Sequence, residues 1–154
     1  MGQVDIAEFL KRGLCVLVAT RDASLSPLCV TASACALAGP GRAVVYLPAY
    51  EGAPALANLR ANAAIAVLVE EPTTHRGIQL KGRSLAIREA TPTELAHVAE
   101  FVARTKAELA EIGFAPTVLE RMNFTPCTAV EFSVEHVFEQ TPGPGAGRAI
   151  EARP

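Results

Sequence analysis

The feature that most limits how this chain can fold is a series of short apolar runs with β-type alternation, most of them joined by connections too short to hold a helix. The runs are Leu14–Thr20 (LCVLVAT), Leu28–Cys35, Ala43–Leu47, Ala64–Val69, Gly77–Ile87 and Thr128–Phe138. Thr31 and Ser33 alternate with Val30, Ala32 and Ala34, and β-branched residues recur at positions 65, 67 and 69. Such period-two patterns predict half-buried strands. A doubly wound parallel sheet needs a helix at nearly every crossover. Here the substantial helical pattern, Thr91–Ile112, stands between the last two strands. Antiparallel closure into a small, half-open barrel is therefore expected: a mainly β, α+β domain with short helices and one longer helix before the last strand.

The punctuation supports this layout. Asp5 and Glu8 predict a capped first helix over Asp5–Arg12, ended by Gly13. Arg21–Pro27 reads as a hairpin turn and Gly39-Pro40-Gly41 as a break. Pro54 predicts the first turn of a short helix that ends near Asn62. Gly82 predicts a bend or bulge in the fifth strand. Thr91, Pro92 and Glu94 form a proline-opened capping box, followed by the stripe Leu95, Val98, Phe101, Val102, Leu109 and Ile112. Another short helix is expected over Pro116–Met122. The tail from Thr141, TPGPGAGRAIEARP, is too rich in glycine and proline for a regular element and is expected to be mobile or draped over a neighbouring subunit. These signals divide the chain into a barrel domain over 1–140 and a tail over 141–154.

Composition sets the remaining bounds. A chain of 154 residues, half of them hydrophobic and 19% charged, is long enough for one core and too apolar to be disordered. The apolar surplus points to a homodimer face. Net charge is −2, no basic stripe occurs, and Trp is absent, which argues against a nucleic-acid partner. Cys15, Cys29, Cys35 and Cys127 have neither CxxC nor zinc spacing, and each lies in or beside an apolar run. Buried free thiols in a reducing compartment are expected. The sequence shows no signal-peptide pattern and no apolar run of membrane-spanning length, so a cytoplasmic location with no membrane partner is the expectation.

Taken in order, these features resemble the pyridoxamine 5′-phosphate oxidase-like family, the flavin-binding split barrels. The resemblance covers about Phe9 to Phe138. It is carried by the strand ending Val18-Ala19-Thr20, the turn with Pro27, the segment ALANLRANAAIAVLVEE over 55–71, and RGIQLKG over 76–82. It implies an antiparallel split β-barrel and a homodimer with flavin mononucleotide (FMN) in grooves between subunits. The family also includes members that bind a deazaflavin or haem, and members without a known cofactor.

An FMN site needs cations or amide donors for the phosphate and a backbone slot for the ring. Arg76, whose donor fork suits phosphate, matches the family's basic residue near the cofactor; otherwise it is a solvated hairpin arginine. Gln79 and Lys81 are expected to share one side of the strand, with Arg83 returning to the side of Arg76. Lys81 is a candidate ligand or else an edge lysine with a buried stem. Thr20 and Ser33 supply hydroxyls near the first hairpin, beside Arg21. The family pattern places a Lys or Arg where this chain has Ala55, and Arg60 points elsewhere on the helix. Asn58 and Asn62 match a recurring asparagine pair but read better as backbone caps. Tyr46 reads as core or interface, and Tyr50 as a loop residue able to cover a ring. His75, His97 and His136 lack metal-motif spacing, and any one of them could serve as a haem ligand only singly. Three readings follow: an FMN-dependent oxidoreductase for a small organic substrate, a split barrel that binds haem or another ligand, or a cofactor-free structural or regulatory dimer. No residue stands out as a catalytic acid or base.

Overall fold

Two of the expected strands are each broken near the middle, and those breaks make the barrel. The computed structural model describes residues 4–122 and 124–153; residues 1–3, 123 and 154, which include the ends of the expected domain and tail, lie outside it. The strands are β1 Val4–Asp5, β2 Cys15–Arg21, β3 Pro27–Ala32, β4 Ala34–Leu37, β5 Arg42–Pro48, β6 Ala64–Glu70, β7 Gly77–Glu89, β8 Cys127–Ser133, β9 His136–Glu139 and β10 Ala152–Arg153. The helices are α1 Ile6–Phe9, α2 Ala53–Asn62, α3 Pro92–Glu111 and α4 Pro116–Arg121.

Within the main sheet the order is β3-β2-β6-β7-β8-β5-β4, and β9 also pairs with β7. All of these pairs are antiparallel. The run expected as one strand over Leu28–Cys35 breaks at Ser33, so β3 pairs with β2 while β4 pairs with β5. Both ends of the sheet thus meet at Ser33, whose N–H donates to the Tyr46 carbonyl at 2.7 Å. The last run breaks at Val134–Glu135 into β8 and β9, opposite the bend in β7.

Strand β7 belongs to both halves. Gly77–Arg83 pair with β6, Ser84–Glu89 pair with β8, and the register shifts between Ser84 and Ala86. The expected bend at Gly82 has a steric cause: a Cβ there would lie 1.7 Å from the Ser133 carbonyl oxygen. Only a glycine lets the two backbones approach this closely.

Inward residues of the strands, including Val16, Val18, Val45, Val67, Val69, Leu80 and Phe132, fill the barrel and are almost fully buried. Helix α2 packs against β2 and β3 and buries Ala55, Leu56 and Leu59. Helix α3 begins at the expected Thr91–Glu94 capping box and buries Val98, Phe101, Thr105 and Leu109. Thr105 sits on the apolar stripe because its hydroxyl donates to the Leu14 carbonyl at 2.7 Å. Ile112, expected on that stripe, is exposed because the helix stops at Glu111.

Other expectations need correction. Asp5 caps α1 by accepting from the Glu8 N–H at 3.0 Å, but the helix stops at Phe9 and the Glu8 carboxylate bonds Lys11 at 2.8 Å. Gly13 is not its stop; a Cβ there would lie 2.4 Å from the Arg104 carbonyl oxygen, so the glycine admits α3. Cys29 is exposed rather than buried, whereas Cys35 and Cys127 are buried and Cys15 is half-buried. Burial pushes the Cys35 thiol up to about 12, which leaves it protonated and inert. The tail does hold a regular element. The Ile150 N–H donates to Val137 at 2.9 Å, and Ala152–Arg153 pair in parallel with Val4–Asp5.

Candidate functional site

The strand registers align outward-facing residues across four strands. Ala19 of β2 opposes Ala66 of β6, Ala66 opposes Lys81 of β7, and Lys81 opposes His136 of β9. Facing pairs in antiparallel strands share a side of the sheet, so the four residues form one row. Two alanines leave a hollow beside a lysine and a histidine. The next row, Leu17–Leu68–Gln79–Phe138, forms an apolar shoulder to it. The Lys81 ammonium lies 4.8 Å from the centre of the Phe138 ring, a cation–π distance.

This hollow opens into a groove of about 420 Å³, also lined by Thr20, Arg21, Gly82 and Glu135. That volume falls within the range of small-molecule and cofactor sites, roughly 300–1,000 Å³. Lys81 and Arg21 bring positive charge to its wall, and Arg83 sits beside it, two residues beyond Lys81. Glu135 brings one carboxylate, already accepting from the Ser133 hydroxyl at 2.9 Å. The balance favours an anion.

The six candidates are not all brought together. Lys81 and Thr20 line the groove. Gln79, Lys81 and Arg83 alternate outward along β7, so Arg83 lies on the side of Lys81 and not with Arg76. Arg83 donates to the Asn62 carbonyl at 3.2 Å. Gln79 accepts from Gln140 at 3.5 Å, one row along. Arg76 precedes β7 and stacks over Phe9, its guanidinium 5.7 Å from the ring centre. Five residue steps along the chain separate it from Lys81, roughly 16 Å. Ser33 is the corner of the barrel: it is buried, and its hydroxyl donates to the Phe124 carbonyl at 3.0 Å.

Helix α2 supports the groove from behind. Asn58 donates to the Thr20 hydroxyl at 3.1 Å, and Asn62 donates to the Arg21 carbonyl at 2.6 Å. Asn62 also accepts from the Ala64 N–H at 3.1 Å. Both asparagines therefore bond the chain itself. Ala55 is fully buried, so a long basic side chain has no space there. The cations that could hold a phosphate come instead from the β2 end and from β7. Tyr46 is core, its hydroxyl donating to Glu94 at 3.2 Å, and Tyr50 is exposed on its loop.

Sequence reasoning singled out Lys81 but not Glu135, and it weighed His136 without a partner. Glu135 and His136 reach the groove because the chain breaks after β8, and the Glu135 N–H then donates to the Lys81 carbonyl at 2.9 Å. His75, by contrast, is exposed and bonds Glu70 at 3.1 Å. Among the described residues no cluster of His, Cys, Asp and Glu could hold a metal ion, and no helix is long and apolar enough to cross a membrane.

No family model and no curated protein sequence matches the chain. Solved structures do. HupZ of Group A Streptococcus, in a tagged form, is 17% identical with a TM-score of 0.55, the match covering 92% of this chain and 95% of that one. A provisional pyridoxamine 5′-phosphate oxidase of Lactobacillus delbrueckii is 16% identical at TM-score 0.55, covering 88% and 92%. An F420 reductase is 16% identical at TM-score 0.56, covering 89% and 98%. At these identities the likeness is one of architecture, and it agrees with the strand order found here: the chain has the split-barrel fold, a large antiparallel sheet with short helices and one longer helix.

Proposed function

We propose that this protein is a ligand-binding split barrel whose outward groove takes a flat anionic cofactor, FMN foremost, with a second copy of the chain closing the groove. The observation that carries this reading is the row Ala19–Ala66–Lys81–His136, which sets two small residues beside a cation. Small side chains let a flat ring approach the strands, and a lysine with a nearby arginine attracts a phosphate. When bound, a flavin supplies hydride or electron transfer to a small organic substrate. The chain's own residues act on binding and placement: Lys81 and Arg21 hold the anion, Arg83 adds charge at the rim, and the Asn58–Thr20 and Asn62–Arg21 bonds keep the β2 end rigid. Arg76 and Gln79 would then act outside this half of the groove.

His136 gives a second reading some footing. Its exposed imidazole lines the same groove, and one imidazole is enough to hold a haem iron.

The visible spectrum of the purified protein separates these readings. Flavin absorbs near ~370 and ~450 nm and haem near ~400 nm. The expected result is a flavin spectrum, or tight rebinding of FMN by protein stripped of pigment. Lys81→Gln should weaken FMN binding about tenfold or more. A haem band lost in His136→Ala would favour the second reading. No uptake of either cofactor would leave a cofactor-free dimer.

A further inference from the structure

A second hollow, of about 250 Å³, lies where the C-terminal tail crosses the barrel. It shares Glu135 and His136 with the β7 groove and is otherwise built from different parts of the chain. Ile6 of α1 and Val137 of β9 bring buried core to its wall. Leu37, Val134 and Ile150 also line it; they pack against that core and stay partly exposed. Aliphatic carbons left without neighbours forfeit dispersion contacts, and protein interiors hold few voids larger than a water molecule. The hollow is larger than the roughly 150 Å³ apolar cavity that takes up benzene in another protein.

The charged residues at its edge are already engaged. Arg42 pairs with Glu131 at 3.3 Å, and Glu135 accepts from the Ser133 hydroxyl at 2.9 Å. Both are exposed and they carry opposite signs, so they set no preference for an ion. The tail closes one side with Ala149 and Ile150. It is tied down by the Ile150 N–H bond to the Val137 carbonyl at 2.9 Å, the Gly147 N–H bond to the Glu139 carbonyl at 2.7 Å, and the pairing of Ala152–Arg153 with Val4–Asp5. Residues 140–151 form neither a helix nor a strand. A side held by a few backbone bonds opens locally at low cost, which gives a ligand a way in.

We propose that this hollow binds a small uncharged compound of one ring, which enters when the tail lifts. The ring lies against Leu37, Val134, Val137 and Ile150, and the closed tail completes the site. The inference stands without a cofactor in the β7 groove.

Toluene is a suitable probe and benzoate its charged counterpart. In the full chain with ¹³C-labelled methyl groups, toluene should shift the Leu37, Val134, Val137 and Ile150 signals saturably and leave Leu17 and Leu68 still. Benzoate should bind at least tenfold more weakly. Hydrogen exchange of the Ile150 amide should slow about tenfold when toluene stands at about ten times its Kd, because only the closed tail holds the ring. Val134→Phe places a side chain in the hollow and should weaken toluene binding at least tenfold. Should that variant fail to fold, the methyl shifts and amide exchange of the unaltered chain decide. Lys81→Gln should leave toluene binding intact, so failure here and failure of the FMN reading remain distinguishable. Four results would overturn the proposal: methyl shifts that never saturate, shifts centred on Leu17 and Leu68, equal binding of benzoate, or unchanged Ile150 exchange at saturating toluene.

Discussion

Glu94 accepts both terminal nitrogens of Arg88 at 2.7 Å, the Tyr46 hydroxyl at 3.2 Å and the Thr91 N–H at 2.8 Å. The Arg88 bonds, aided by those from Thr91, hold its carboxyl at about 2, well below the usual 4.5. A carboxyl depressed on folding stabilises the folded state above its unfolded value and loses that contribution as pH falls through 4.5 toward 2. Arg88 is 41% exposed, so solvent screens the pair and its worth is on the order of 1 kcal/mol. Glu94→Gln should therefore lower the Tm at pH 6, and the gap from wild type should close as the pH approaches 2; thermal melts at pH 3 and pH 6 test this. In the groove, the geometry separates two residues that sequence alone could not. Arg76→Ala should change FMN affinity less than Lys81→Gln, as measured by fluorescence titration, because Arg76 is spent on Phe9. Both residues lie in the short segment RGIQLKG over 76–82, and only the register shows which of them faces the hollow.

At the scale of elements, Gly82 is the test case. Gly82→Ala should destabilise the protein by about 1–3 kcal/mol or more, since its Cβ would overlap the Ser133 carbonyl; urea denaturation measures the loss. That bend could be read in the sequence because glycine inside a strand is informative by itself. The Thr91-Pro92-Glu94 start of α3 could be read for the same reason: its signal is local. The breaks at Ser33 and at Val134–Glu135 could not. Apolar–polar alternation continues across both, and what splits each run is the partner it pairs with, a long-range fact. Ser33 accordingly looked like a lining hydroxyl and is a corner. Tail pairing was hidden in the same way, because β10 exists only through its contact with β1.

For the molecule as a whole, the outward face of β2, β6, β7 and β9 leaves Leu17, Leu68 and Phe138 half-covered around the groove. A homodimer joined on this face would bury them and complete the site in one step. Sedimentation should give twice the 16.2 kDa chain mass. Leu68→Arg should shift the protein to monomer and weaken FMN binding in parallel. Loss of the dimer with FMN affinity intact would show that one copy makes the whole site.

Because the strand through Ser33 turns from one sheet half into the other, the ring is held shut there by the chain itself and by the two hydrogen bonds that Ser33 donates. Adding one residue at that point would turn β4 over relative to β5, sending its core side chains to water while β3 stayed in place. The same insertion in the Asp22–Ser26 turn would merely lengthen a loop. Libraries of random insertions should therefore show a sharp gap in tolerance at position 33.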